Sequence, residues 1–142
     1  MGKMMNQMGS MCRHLGVLAT LVMLAGCASK PEIVQSSVKR LPTTAGDVVI
    51  YDKQPAKYEQ LGTVTVTKGQ GGTWDQKGDA NAAFDALKAK AAAMGANGLL
   101  IWAEEGAFDR RVNAGYHGTF HQLPVRGTPG EGIAQAIYVL KK

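Results

Sequence analysis

His117 and His121 stand four residues apart, a short way beyond the basic pair Arg110-Arg111. Two imidazoles at that spacing share one face of a helix and can grip a divalent metal there. Gly115 and Gly118 flank His117, and glycine disfavours a helix. The segment therefore reads as a loop. His117 and His121 are candidate metal ligands only if the loop folds back on Asp109 or Glu131; otherwise they are exposed loop histidines. Glu104 and Glu105 follow an apolar run, but adjacent strand residues point to opposite faces and make a poor acid/base pair. The stretch Gly69-Gln70-Gly71-Gly72-Thr73 lacks the Gly-Lys-Ser/Thr that holds a triphosphate, so it reads as a flexible loop. After residue 26 the serines are Ser29, Ser36 and Ser37, all ahead of the periodic segments. No catalytic set emerges, and the expectation is a protein that is not an enzyme and carries no cofactor.

The remaining reactive side chain is Cys27. It ends Leu24-Ala25-Gly26-Cys27, behind the apolar run Leu15 to Leu24 and a leading segment with Lys3, Arg13 and no acid. A basic start, a short apolar stretch and a small-residue exit mark a secretory signal. The apolar run is about half the roughly 20 residues that a spanning helix needs. The exit resembles the bacterial lipobox. That resemblance implies cleavage before Cys27, a thioether-linked diacylglycerol on its sulfur and an acyl chain on the new terminus. The positions after it, Ala28 and Ser29, are not Asp, which favours the outer membrane over the inner one. Each buried lipid methylene contributes about 0.8 kcal/mol, so several chains anchor far more firmly than one.

The chain has 142 residues and a net charge of +5, from 16 Lys+Arg against 11 Asp+Glu. Without residues 1–26, which hold Lys3 and Arg13, the net charge is +3. No basic run interleaved with aromatics occurs, so no nucleic-acid partner is expected. The two cysteines are Cys12 and Cys27. One lies in the signal and one at the lipid site, which leaves the folded part without a disulfide or a cysteine metal site.

These residues must be positioned by one small domain. Residues 1–26 read as signal peptide, 27–46 as a lipidated tether rich in Ser, Thr and Pro, and 47–142 as a small α/β domain. Asp47 to Tyr51 is a β-branched strand. Tyr58 to Thr67 alternates, with Val64 and Val66 on one face and Thr63, Thr65 and Thr67 on the other. Ala80 to Met94 is a helix behind Asp79 as N-cap, with a stripe of Phe84, Leu87, Ala91 and Met94. Gly95 suits the left-handed position past its end. Gly98 to Ala103 is apolar on both faces and suits a central strand, and Ala134 to Leu140 closes the domain. The fold class is α+β, in the order β-β-α-β-β: one helix on a four-stranded mixed sheet. The first two strands can form a hairpin, and the helix carries a right-handed crossover between the second and third.

Tyr58-Glu59-Gln60-Leu61-Gly62-Thr63-Val64, followed by Ala92-Ala93-Met94-Gly95-Ala96-Asn97-Gly98-Leu99-Leu100-Ile101, resembles the YbjQ-like and RcsF-like small bacterial lipoprotein domains. The resemblance covers about Val48 to Ala103 and implies the fold. It brings no disulfide and no thiolate metal site: RcsF-like domains carry disulfide-forming cysteines, YbjQ-like domains are linked to heavy metals, and the folded part of this chain has no cysteine. The expected function is a non-catalytic bacterial envelope lipoprotein, an interaction, scaffold or sensing domain that meets an envelope protein partner. Trp74, Arg110, Arg111, Tyr116 and Phe120, in two long loops, are the candidate contacts. The alternative is a small-ligand or metal-binding envelope module using His117, His121 and the arginine pair.

Overall fold

A computed structural model describes the backbone of residues 32–35 and the full residues 39–67 and 80–140. Cys27, Trp74, Asp79 and the glycine-rich stretch 69–73 lie outside the described residues.

The domain is α+β, with one helix on a mixed sheet. Its strands are β1 (Glu32–Gln35), β2 (Val49–Tyr51), β3 (Lys57–Thr67), β4 (Gly98–Leu100), β5 (Arg110–Tyr116), β6 (Thr119–Arg126) and β7 (Glu131–Val139). The helix α1 (Asn81–Ala93) lies between β3 and β4. The sheet order is β1-β3-β7-β4-β2, with β6 also on β7 and β5 on β6. The strands β1, β3, β4 and β2 run one way and β7 runs against them.

This corrects the four-stranded expectation. The four expected strands form, and β1, β5 and β6 join them. Gly98–Leu100 is an interior strand as expected, bonded to β7 and β2 and buried on both faces. Residues 101–103 lie beyond the strand, and β7 holds the middle of the sheet. β2 and β3 form no hairpin: they flank opposite sides of β7 and β4, and β2 pairs in parallel with β4. β3 and β4 run parallel as expected, but β7 lies between them.

The helix face of the sheet holds the larger core. Phe84, Leu87, Ala91 and Ala92 of α1 pack against Val64, Val66, Leu99, Ala134 and Ala136. Small residues on both sides let the helix lie close. Met94, half-buried, closes over Gly62, where its Cε leaves no room for a Cβ. A bulge between Gln60 and Gly62 changes which residues face the helix. Before it Tyr58 points away from α1 into a second cluster with Leu100 and Ile137; after it Val64 and Val66 point towards α1.

The helix starts after Ala80, which makes no side-chain cap. Its other end is closed as expected by Gly95, at φ +80°. The Gly95 amide donates to the Ala92 carbonyl and the Ala96 amide to the Ala91 carbonyl, a Schellman pair that satisfies two of the last carbonyls. Thr43 adds to this end: its amide donates to the Ala92 carbonyl and its hydroxyl to the Ala96 carbonyl. Arg40 reaches Glu59 of β3 at 2.7 Å, and its guanidinium lies 3.7 Å from the Tyr138 ring centre. The stretch read as a tether therefore contributes β1, pairing in register with Lys57 to Gln60, and a packed arm from Arg40 onward. Serine, threonine and proline content marked it as coil; its hydrogen bonds go to residues far away in sequence.

Candidate functional site

The stretch around His117 and His121, expected as a loop, is a β-hairpin. β5 and β6 pair from Arg110↔Val125 to Tyr116↔Thr119. His117 (φ +46°) and Gly118 (φ +82°) form its two-residue turn, in which both central residues take positive φ. The hairpin closes on α1. The Ala80 amide donates to the Gly115 carbonyl, the His117 amide to Asn81 Oδ1 and the Tyr116 hydroxyl to Asp85 Oδ1. The Phe84 ring lies 5.2 Å from both the Tyr116 and His121 rings. Burial, and then the bond to Asp85, pushes the Tyr116 hydroxyl pKa up.

The two histidines take different places. His121 is buried against Phe84, and its Nδ1 lies 2.8 Å from Asp52 Oδ1. His117 is exposed at the turn, with its ring 4.3 Å from that of Tyr116. Among the described residues, no three His, Cys, Asp or Glu side chains are grouped to hold a metal. Arg110 donates to the Gly127 carbonyl; Arg111 donates to the Gln122 carbonyl and covers the Phe108 ring at 4.5 Å. Phe120 points outward, 58% exposed. Of the candidate contacts, Tyr116 fastens the hairpin to the helix, while Phe120 and the arginines lie on its exposed surface.

A second site lies on the sheet face away from α1 and was missed in the sequence. There the end of β4 leaves the sheet: Ile101 still donates to the Tyr51 carbonyl, and the chain then turns through Glu104 and Ala107. Between this segment and the strands is a trough of about 400 Å3. Its floor is Gln60, Thr63 and Thr65 of β3 with Ile133 and Gln135 of β7. Trp102, Ala103, Glu104 and Ala107 form one wall, and Arg126 of β6 closes the end.

The electrostatics of the trough are nearly closed within itself. Arg126 donates to Glu131 Oε2 at 2.6 Å. That bond, then a bond from Thr65, holds the Glu131 carboxyl below its ordinary range. Gln135 is different. It is 8% exposed, and its Oε1 is buried with no hydrogen-bond partner among the described residues. The Tyr58 hydroxyl on the same face is also buried without one. A buried polar atom left unpaired costs about 1–3 kcal/mol, so native chains rarely keep one. The sequence did hold a signal, since Gln135 is the one polar side chain between Ile133 and Ile137; its place opposite Thr63 comes from the register of β3 and β7.

Comparison with known proteins gives no match: no family model, curated protein or solved structure is significantly similar to this chain. The YbjQ-like and RcsF-like resemblance rests on its motif residues alone. Gln60 and Thr63 of that motif line the trough, and several of the others build the fold. Tyr58 fills the helix-free core, Gly62 lies under Met94, and the Gly95-Ala96-Asn97-Gly98 turn joins α1 to β4.

Proposed function

We propose that this chain is a lipid-anchored domain of the bacterial envelope, held through Cys27 at the outer membrane, that binds a small envelope component without transforming it. The lipobox-like ending Leu24-Ala25-Gly26-Cys27 supports the anchor. The observation that carries the binding role is the buried, unpartnered side-chain oxygen of Gln135 at the floor of a trough of small-molecule size, since such pockets span roughly 300–1,000 Å3. The trough's other polar groups are amides, hydroxyls, one exposed carboxylate and a paired arginine, which supports holding over bond-making.

Full-length protein extracted from membranes in detergent tests both halves. Mass spectrometry should find the chain starting at an acylated Cys27, and Cys27→Ser should release it unacylated from the membrane. A low-molecular-weight envelope extract should shift the Gln60 and Gln135 side-chain amide signals in NMR spectra. Signals unmoved by the whole extract would sink the binding role. A protein partner docked on the hairpin is the second reading, favoured by the exposed Phe120 ring.

A further inference from the structure

The geometry points to a neutral, polyhydroxylated ligand of the saccharide class as the occupant of the trough, an inference that rests on the binding role proposed for it. Three observations lead there. The first is the kind of polar group on offer. Gln60 and the unpartnered Gln135 of the floor carry amides, each able to donate and accept, and Thr63 carries a hydroxyl, while the Thr65 hydroxyl already bonds Glu131 and can still accept. A sugar hydroxyl is itself both donor and acceptor, so it matches this set in either sense. A carboxylate or phosphate can only accept, and would leave the acceptor atoms of both amides unmatched.

The second is charge. The guanidinium at the trough, Arg126, is already bonded to Glu131 at 2.6 Å. Glu104, on the wall, is exposed and acidic. An anion would meet no unpaired cation among the lining residues and one carboxylate. The third is Trp102. Its half-buried indole lines the trough and rests on the cluster of Tyr58, Leu100 and Ile137. The negative face of an aromatic ring attracts weakly positive C–H edges, and one face of a sugar ring is made of C–H groups. Amides and hydroxyls on the floor with an indole in the wall thus fit the two chemistries of a sugar, polar rim and apolar face.

The Gln135 amide makes the test specific. Where a buried polar side chain has no partner in its own fold, an apolar replacement of similar shape should leave the fold as stable or more stable. It should also remove a ligand bond whose loss weakens binding by about tenfold. Full-length protein in detergent would be titrated with neutral sugars (glucose, galactose, mannose, N-acetylglucosamine and maltose). Glucose 6-phosphate serves as the anionic comparator, and a dipeptide capped at both ends as the neutral peptide. The readouts are the side-chain amide signals of Gln60 and Gln135 and the melting temperature. At least one neutral sugar should shift both amides, glucose 6-phosphate should bind at least tenfold more weakly, and Gln135→Leu should lose the response without a lower melting temperature. Thr63→Val, at an exposed strand position, is the second variant and should weaken the same sugar. Silence of all the sugars while the peptide or the anion shifts the amides would overturn the saccharide and leave the binding role standing. Sugar binding unchanged in both variants would overturn the site. Silence towards every probe and towards the envelope extract would overturn both.

Discussion

Asn97 is a junction made by one short side chain. Its amide group donates to the Val139 carbonyl at 3.1 Å and accepts from the Val139 amide at 2.7 Å. Its own backbone amide donates to Ile137, and its carbonyl accepts from Val49. It therefore extends the β4–β7 ladder by one step and joins β2 to the same register. The sequence shows Asn97 only as part of a motif that follows the helix; its partner lies 42 residues away. Asn97→Ala would leave the Val139 amide and carbonyl unpaired in a half-buried place. Chemical denaturation should show a loss of about 1–3 kcal/mol, and Asn97→Asp, which keeps the acceptor, should lose less. Gly98 is next in the chain. Its bare Cα lies on the face away from α1, where a Cβ would be 2.9 Å from Ile137 Cγ1 and 3.0 Å from Tyr51 Cε2.

The β5–β6 hairpin is the element that the sequence concealed. Its residues alternate: Val112 and Ala114 with His121, Leu123 and Val125 turn inward, and Asn113, Phe120 and Gln122 turn outward. Glycines, a proline within β6 and charged residues hid that period, and His-Gly is a less familiar turn pair than Asn-Gly. The two faces separate two aromatic substitutions by their effect. His121→Ala removes a ring packed on Phe84 and the bond to Asp52, and should cost about 1–3 kcal/mol in thermal or chemical unfolding. Phe120→Ser, at an exposed position, should stay within about 0.5 kcal/mol, while any partner crosslinked at the hairpin should be lost. The arm before β2 was concealed for a different reason. Its contacts are the helix end, Glu59 and Tyr138, and nothing in its own composition points to them.

Across the whole molecule, stability should follow distance from β7. That strand is bonded to β3 along one edge and to β4 and β6 along the other, and both its faces are covered. Backbone amides of Ala134 to Ile137 should exchange with deuterium most slowly, and those of β2 and the hairpin turn faster, because cooperative opening begins where buried contacts are few. Mass-resolved hydrogen exchange checks this order. An equal rate in β2 and β7 would contradict it.

Local rules carried the elements that declare themselves within a few residues. Periods of two and of about 3.6, and a glycine at a helix end, were enough for β3, α1 and the Gly95 stop, because each depends on neighbours in sequence. The apolar run Ala134 to Leu140 marked a strand for the same reason. Strand order, the bulge at Leu61 and the packed arm depend on which distant backbone offers a free edge, and only the tertiary structure decided them. The trough belongs with these. Gln60, Thr63, Thr65, Trp102, Arg126 and Gln135 are ordinary residues when read singly. They become a site because β3, β6 and β7 meet at one end of the sheet just where the chain beyond β4 turns away.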